Sequence, residues 1–209
     1  MTLPLDALLA TMRVWRGSVD SVACPAVSTG WPKLDAALGS VGWPLGTLIE
    51  LLVPTAGAGE LSLLLPALKT LADAGEGAHT RWLVWVSPPH VVYPPALQQA
   101  GIAAEHILLV DAVSLNDRLW AIEQSLRTRS CLAVLAWVDT VDDRWLRRLK
   151  LAAADSVALL VLCRPVAQQV QPSPASVRMV LSPTMQGLDV HVIKRKDRGA
   201  LWIRDALLG

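Results

Sequence analysis

The sequence predicts an α/β fold with a mostly parallel central sheet flanked by helices and a C-terminal antiparallel hairpin at the sheet edge. Three observations predict it. Apolar runs of strand length recur, separated by segments of helical periodicity, the pattern of parallel strands covered on both faces. Near the end this gives way to alternating apolar and polar residues around a Met-Gln-Gly turn, the pattern of an antiparallel pair. A Gly-containing loop also joins the first long strand to a Leu-rich helix in "ELLVPTAGAGELSLL" (50–64).

The elements follow in order. "TLIELLV" (47–53) reads as a buried strand, and "LSLLLPALKTLADAG" as a helix that Pro66 either kinks or begins. "RWLVWVS" (81–87) is a second strand, and "PPALQQAG" a short helix stopped by Gly101. "HILLVD" (106–111) is a third strand, followed by the helix "SLNDRLWAIEQSLRTRS", capped by Ser114 or Asn116. "CLAVLAWVD" (131–139) is a fourth strand, "DDRWLRRLKLAAAD" a helix with Asp142 as N-cap, and "SVALLVLC" (156–163) a fifth strand. "RPVAQQVQPSPAS" (164–176), rich in Pro and Gln, is a loop, and "VRMVLSPTMQGLDVHVIKRK" is the hairpin.

Composition narrows the function. The chain has 209 residues, enough for a sizeable core, and is 53% hydrophobic and 18% charged with net charge +1. It lacks the basic balance of a dedicated nucleic-acid binder, so any DNA contact is expected to be weak or indirect. No apolar run approaches the roughly 18 to 20 residues of a membrane span. The start, "MTLPLDALLATMRVWRG", carries Asp6 inside its apolar stretch and no leading basic region, which argues against a signal peptide. Cys24, Cys131 and Cys163 are far apart and form no CxxC or Cys/His spacing, which argues against a metal site and for reduced thiols in a cytoplasm. Nine Trp stand beside no Phe, which fits large apolar surfaces, some of them at an interface.

The stretch "VSTGWPKLDAALGSVGWPLGTLIELLVPTAGAGE" (27–60) resembles the opening of the RecA recombinase core, and the likeness extends by topology to about residue 199. More closely, the chain is similar to the ImuA family, shortened RecA-like proteins of the bacterial translesion-synthesis cassette. It also resembles the cell-division inhibitor SulA. "LLLPALKTLA", "RWLVWVSPP", "AVLAWVD" and "LCRPV" suit both families, while segment 27–49 and "PSPASVRMVL…LDVHVIKRKDRG" favour ImuA. The resemblance implies an N-terminal helical arm (1–25), a RecA-like core with a degenerate phosphate loop (26–199) and a C-terminal segment (200–209). It also implies RecA, the pseudo-polymerase ImuB and the DnaE2-type polymerase as partners.

A phosphate loop needs GxxxxGK[ST]: glycines let backbone N–H groups close on phosphate, Lys neutralises it and a hydroxyl holds magnesium. In "PTAGAGEL" the first Gly is Pro54, while Gly57 and Gly59 still permit a tight bend; Glu60 stands for Lys and Leu61 for the hydroxyl residue. At an effective dielectric near 20, each unit-charge contact at about 4 Å is worth roughly 4 kcal/mol. Reversing one such charge is expected to abolish nucleotide binding, and neither a cofactor nor catalysis is expected. Pro89 or His90 falls where the resemblance puts the residue that activates water; proline cannot act as a base, and His90 has no phosphate to act upon. Trp137 or Val138 falls where it puts the metal-binding Asp, with Asp139 as the alternative or as an ordinary strand-end residue.

Three regions are candidate contact surfaces. Lys194 and Lys196, with Arg195 and Arg198 beside them, match the Lys-x-Lys that in the RecA family reaches a neighbour's ATP; a solvated strand end is the competing reading. Arg144, Arg147 and Arg148 lie on one helical face, either a solvated face or a stripe near an acidic partner or DNA. Leu5, Leu8, Leu9, Met12 and Trp15 form an apolar N-terminal face, for a partner or for the chain's own core. The leading expectation is a translesion-synthesis accessory protein that modulates RecA filaments; the alternative is a SulA-like inhibitor acting on the division protein FtsZ.

Overall fold

The computed structural model describes residues 25–39, 42–74, 81–128, 130–195 and 198–207. In chain order these form β1 (Ala26–Val27), α1 (Pro32–Ala37), β2 (Trp43–Pro44), β3 (Thr47–Val53), α2 (Glu60–Ala74), β4 (Trp82–Val86) and α3 (Pro94–Gln99). There follow β5 (Ile107–Val110), α4 (Leu115–Arg127), β6 (Cys131–Trp137), α5 (Asp143–Ser156), β7 (Leu159–Pro165), β8 (Val177–Pro183), β9 (Leu188–Lys194) and β10 (Leu201–Ile203). A 3-10 turn at Val166–Val170 sits inside the expected loop. The main sheet runs β10-β9-β8-β3-β7-β6-β4-β5, and β1 and β2 pair separately. From β8 to β5 neighbours are parallel; β9 and β10 are antiparallel. The mostly parallel α/β architecture read from the sequence is therefore present. The sheet continues one strand further, since Leu201–Ile203 pairs with β9 and His191 stacks on Trp202 at 4.2 Å.

The central strands are buried on both faces, which is why they read as unbroken apolar runs. On one face Ile49, Leu51, Leu83, Leu135 and Val161 pack against Leu63, Leu64, Ala67 and Leu68 of α2. On the other, Leu48, Val84, Val134 and Leu160 meet Leu119 and Ile122 of α4 and Leu146 and Leu149 of α5. Each fully buried Leu contributes about 1.5–3 kcal/mol. The helices start where their caps dictate. Ser114 Oγ accepts the Asp117 N–H at 3.1 Å, and Asp142 Oδ1 accepts that of Trp145 at 2.7 Å.

Pro66 lies in the interior of α2, where it withholds one intrahelical donor. The segment before α1 docks at that point. Gly30, at φ +79, lies so close to the Pro66 ring that a Cβ there would collide with it, and the Trp31 indole N–H donates to the Leu63 carbonyl at 3.1 Å. The same segment caps α1: Ser28 Oγ and the Thr29 N–H donate to the two carboxylate oxygens of Asp35 at 2.7 and 2.8 Å.

One charged group interrupts the apolar centre. Glu50, fully buried in β3, is flanked by Arg178 in register on β8 and by Arg164 on β7. Arg164 Nη1 donates to Oε1 and Arg178 Nε to Oε2, both at 2.6 Å. The remaining guanidinium N–H groups reach the carbonyls of Asp139, Gln168, Gln169 and Gln171 and the Gln168 side chain. The cluster thereby ties three strands to the 3-10 turn. A second ion pair joins the two helices on one face: Arg148 of α5 and Arg127 of α4 reach the buried Glu123 at 2.5 and 2.7 Å.

Two expectations follow. Glu50→Gln leaves two buried guanidinium groups without their anion and should cost about 3–5 kcal/mol in urea unfolding, whereas Glu50→Leu with Arg164→Leu and Arg178→Met should cost less than the single change. The Arg148 hydrogen bond, aided by Arg127, holds the Glu123 carboxyl below its usual 4.5 against the opposing effect of burial. A carboxylate with a depressed folded pKa stabilises above its unfolded pKa, and that contribution is lost as pH falls through the folded value. The urea midpoint should therefore drop as pH falls below 4.5 toward the depressed folded value, and drop less in Glu123→Gln.

Candidate functional site

The chain leaves β3 into an exposed turn, Pro54–Gly57, and re-enters regular structure at Glu60. Gly57 and Gly59 adopt φ +81 and +102, which only glycine takes without strain. At Gly59 a Cβ would also stand 3.4 Å from Leu188 of the hairpin. This bend turns the Glu60 side chain back into its own loop. Its Oε1 accepts the Gly57 N–H at 2.8 Å and the Trp137 indole N–H at 3.3 Å, and the residue is 2% exposed. A carboxylate at the first turn of a helix is favoured by the helix dipole. Here it takes a loop N–H of the kind a phosphate would need. Trp137, one of the two positions where the resemblance puts a metal-binding Asp, supplies the second donor. Leu61 is half-buried against the core and offers no hydroxyl, and Pro54 has no N–H to give.

The wall facing this loop is built at the end of β4. Ser87 is left-handed at φ 47; its N–H donates to Val110 O at 2.8 Å and its hydroxyl donates to Ala112 O at 3.1 Å. That turn carries residues 88–93 across the loop, with the His90 ring 3.5 Å from where a Gly57 Cβ would be. Between them lies a mostly apolar cavity of about 350 Å³, lined by Leu61, Leu65, Trp85, Val92, Leu97 and Trp137 as well as by Glu60. Glu60 Oε2 and Trp85 Nε1, on two of the lining residues, are buried without a hydrogen-bond partner among the described residues. Asp139, just past β6, is exposed, and its carbonyl accepts Arg164 Nε. Of the two described thiols, burial pushes Cys131 up to about 12, and burial followed by the Glu60 charge raises Cys163 well above the usual range, which disfavours the reactive thiolate.

The cationic candidates do not converge on this cavity. Lys194 Nζ donates to Ser173 O at 2.7 Å; desolvation first, then the charges of Lys150 and Arg178, hold its pKa below the usual lysine value. Arg195 donates to the Ala37 and Gly199 carbonyls, and Arg198 pairs with it by a backbone bridge. Lys194 and Arg195 therefore fasten the hairpin end to their own chain. Lys196 lies outside the described residues, as do Trp15, the N-terminal apolar face and Cys24. On α5, Arg147 pairs with Asp143 at 2.7 Å, while Arg148 stacks 4.5 Å from Trp145 besides holding Glu123. Arg144 is exposed, with no ion-pair partner among the described residues. With Arg127 these residues line a cleft of about 860 Å³ between α4 and α5.

Sequence reasoning missed the pairing of Glu60 with Trp137 and the buried Glu50 cluster. Its signals were a Glu inside "TLIELLV" and Arg residues bordering "LLVLC" and "MVLS", charges placed where only buried partners make them tolerable.

The profile of the family described as cell division inhibitor SulA matches residues 48–159, more than half of the chain. Curated relatives named cell division inhibitor SulA include that of Serratia marcescens, 27% identical over 125 residues, or 60% of this chain and 71% of the relative. That of Serratia proteamaculans is 29% identical over 105 residues, 50% of this chain and 60% of the relative. That of Photorhabdus laumondii is 30% identical over 103 residues, 49% and 55% of the two chains. The matched stretches thus span from just over half to about seven tenths of the relatives' length. This overturns the expectation of a translesion-synthesis accessory protein and, with it, RecA, ImuB and DnaE2 as partners. The segments that had favoured ImuA, 27–49 and 172–199, lie almost wholly outside the match. The structure gives them scaffolding tasks: the first caps α1 and docks α2, and the second extends the sheet and grips Glu50 through Arg178. By its match over residues 48–159, the chain belongs to the SulA family.

Proposed function

We propose that this chain is a non-catalytic inhibitor of cell division that acts in the cytoplasm by binding the tubulin-like division protein FtsZ. The family match carries the reading, and the shared name of the relatives, cell division inhibitor, supplies the activity. The chemistry of the 54–61 loop supports the non-catalytic part. Glu60, at the position a phosphate loop gives to Lys, accepts the Trp137 indole N–H, and burial raises the pKa of both described thiols. A RecA-like origin of the core is supported by the strand, turn and helix of residues 47–74 and by the antiparallel strands appended beside β3. Among the described residues no helix is long and apolar enough to cross a membrane.

The purified chain should suppress GTP-driven FtsZ polymerisation, measured by sedimentation and light scattering, and its overproduction should filament cells; polymers formed at the normal rate and extent with excess chain present would refute the reading. Calorimetric titration with magnesium and ATP at millimolar concentration should give no binding heat and no turnover, and magnesium-dependent hydrolysis would refute the non-catalytic part.

A further inference from the structure

We propose that the cavity over the 54–60 loop is a seat for a basic side chain, arginine or lysine, presented by the protein partner, with the Glu60 carboxylate as its counter-charge. This deepens the preceding reading and rests on it for the identity of the partner. Charge argues for it first. Glu60 is the one acid lining the cavity, and no Lys or Arg lines it among the described residues. A loop geometry that suits a polyanion in its ordinary form here presents an anion, so its preference is reversed. Oε1 already accepts two N–H groups while Oε2, equally buried, accepts none. A buried carboxylate with unused acceptor capacity is the strongest available partner for a charged donor.

Shape agrees. A volume of about 350 Å³ admits one long side chain with part of its backbone, and Leu61, Leu65 and Val92 suit an aliphatic stem that carries a charged head. The Trp85 and Trp137 rings meet edge to face at 6.2 Å and offer an aromatic surface to a cation. Trp85 Nε1 decides between a polypeptide and a free amine. It is a buried donor without an acceptor, and a peptide carbonyl arriving beside the basic side chain supplies one, whereas a free amine does not. Val91 and Tyr93, 98% and 68% exposed on the segment that covers the cavity, form an apolar rim for the flanking residues of such a peptide.

The test uses the full chain with ¹⁵N-labelled tryptophan, titrated with acetyl-Ala-Arg-Ala-amide and with its neutral isostere, acetyl-Ala-citrulline-Ala-amide. The indole resonances of Trp85 and Trp137 should shift saturably with the arginine peptide. The affinity should fall about tenfold or more with the citrulline peptide and with Glu60→Gln. Val91→Arg, a change at an exposed position that leaves the core untouched, should weaken the arginine peptide similarly through repulsion. Equal shifts with both peptides, or none with either, would overturn the seat and leave Oε2 satisfied by water or a proton. FtsZ separates the two ideas. Wild-type binding with a loss of about tenfold in Glu60→Gln supports the seat, and equal binding by both chains overturns it while leaving the FtsZ reading intact. No FtsZ binding by wild type, together with a seated arginine peptide, upholds the seat and rejects FtsZ as the partner.

Discussion

The carboxylate of Glu50 is the constraint on which the arrangement of the sheet depends. It sits at the middle of β3, a strand buried along its whole length, and burying it alone would be prohibitive. Arg178 from one side and Arg164 from the other neutralise it at 2.6 Å each. To do so, β8 and β7 must flank β3 in one register, because a shift by one residue would send each arginine to the opposite face. The two guanidinium groups bring excess positive charge inside, and the carbonyls of residues 168–171 and of Asp139 absorb it. The segment 166–171 is therefore held by electrostatics rather than by apolar contact. This explains how a Pro- and Gln-rich stretch becomes ordered structure at the carboxyl end of the sheet. Buried pairs of this kind are weak contributors to net stability but strong selectors of arrangement.

The same logic operates at the loop after β3. Glu60 brings a carboxylate and Trp137 an indole N–H into the interior, where a polar group is costly without a partner. Together they form one hydrogen bond, and Gly57 adds another. The glycine bend serves this internal contact, since it turns the Glu60 carboxylate back onto the Gly57 N–H. What lies above it is an apolar cavity under residues 88–93, held in place by the left-handed Ser87.

Much of this was legible in order along the chain. β3 and the Asp142 cap came directly from local pattern, since apolar continuity and capping chemistry are properties of a few adjacent residues, while the structure chose Ser114 over Asn116 for the other cap. Pro66 was placed in a helix, but that its ring packs on Gly30 beside Trp31, some 35 residues away, was not readable locally. The three-residue β10 carries too little pattern to read, and only its pairing with β9 makes it a strand. The function was read less well than the fold. The stretches that pointed to translesion synthesis are the ones that cap, dock and close the scaffold, and residues with such tasks carry no information about a partner.

The sequence by itself determined the alternation of buried strands and helices and the tight glycine bend after β3, because these depend on residue type and near neighbours. Only the tertiary structure decided that Glu50 is neutralised from two adjacent strands and that Glu60 meets Trp137 across 77 residues. It also decided that Lys194 and Arg195 donate to carbonyls of their own chain. The physical reason is common to all three. A charged side chain is read from the sequence as a free charge, and whether it remains one depends on which distant donors and acceptors the fold brings within hydrogen-bond reach.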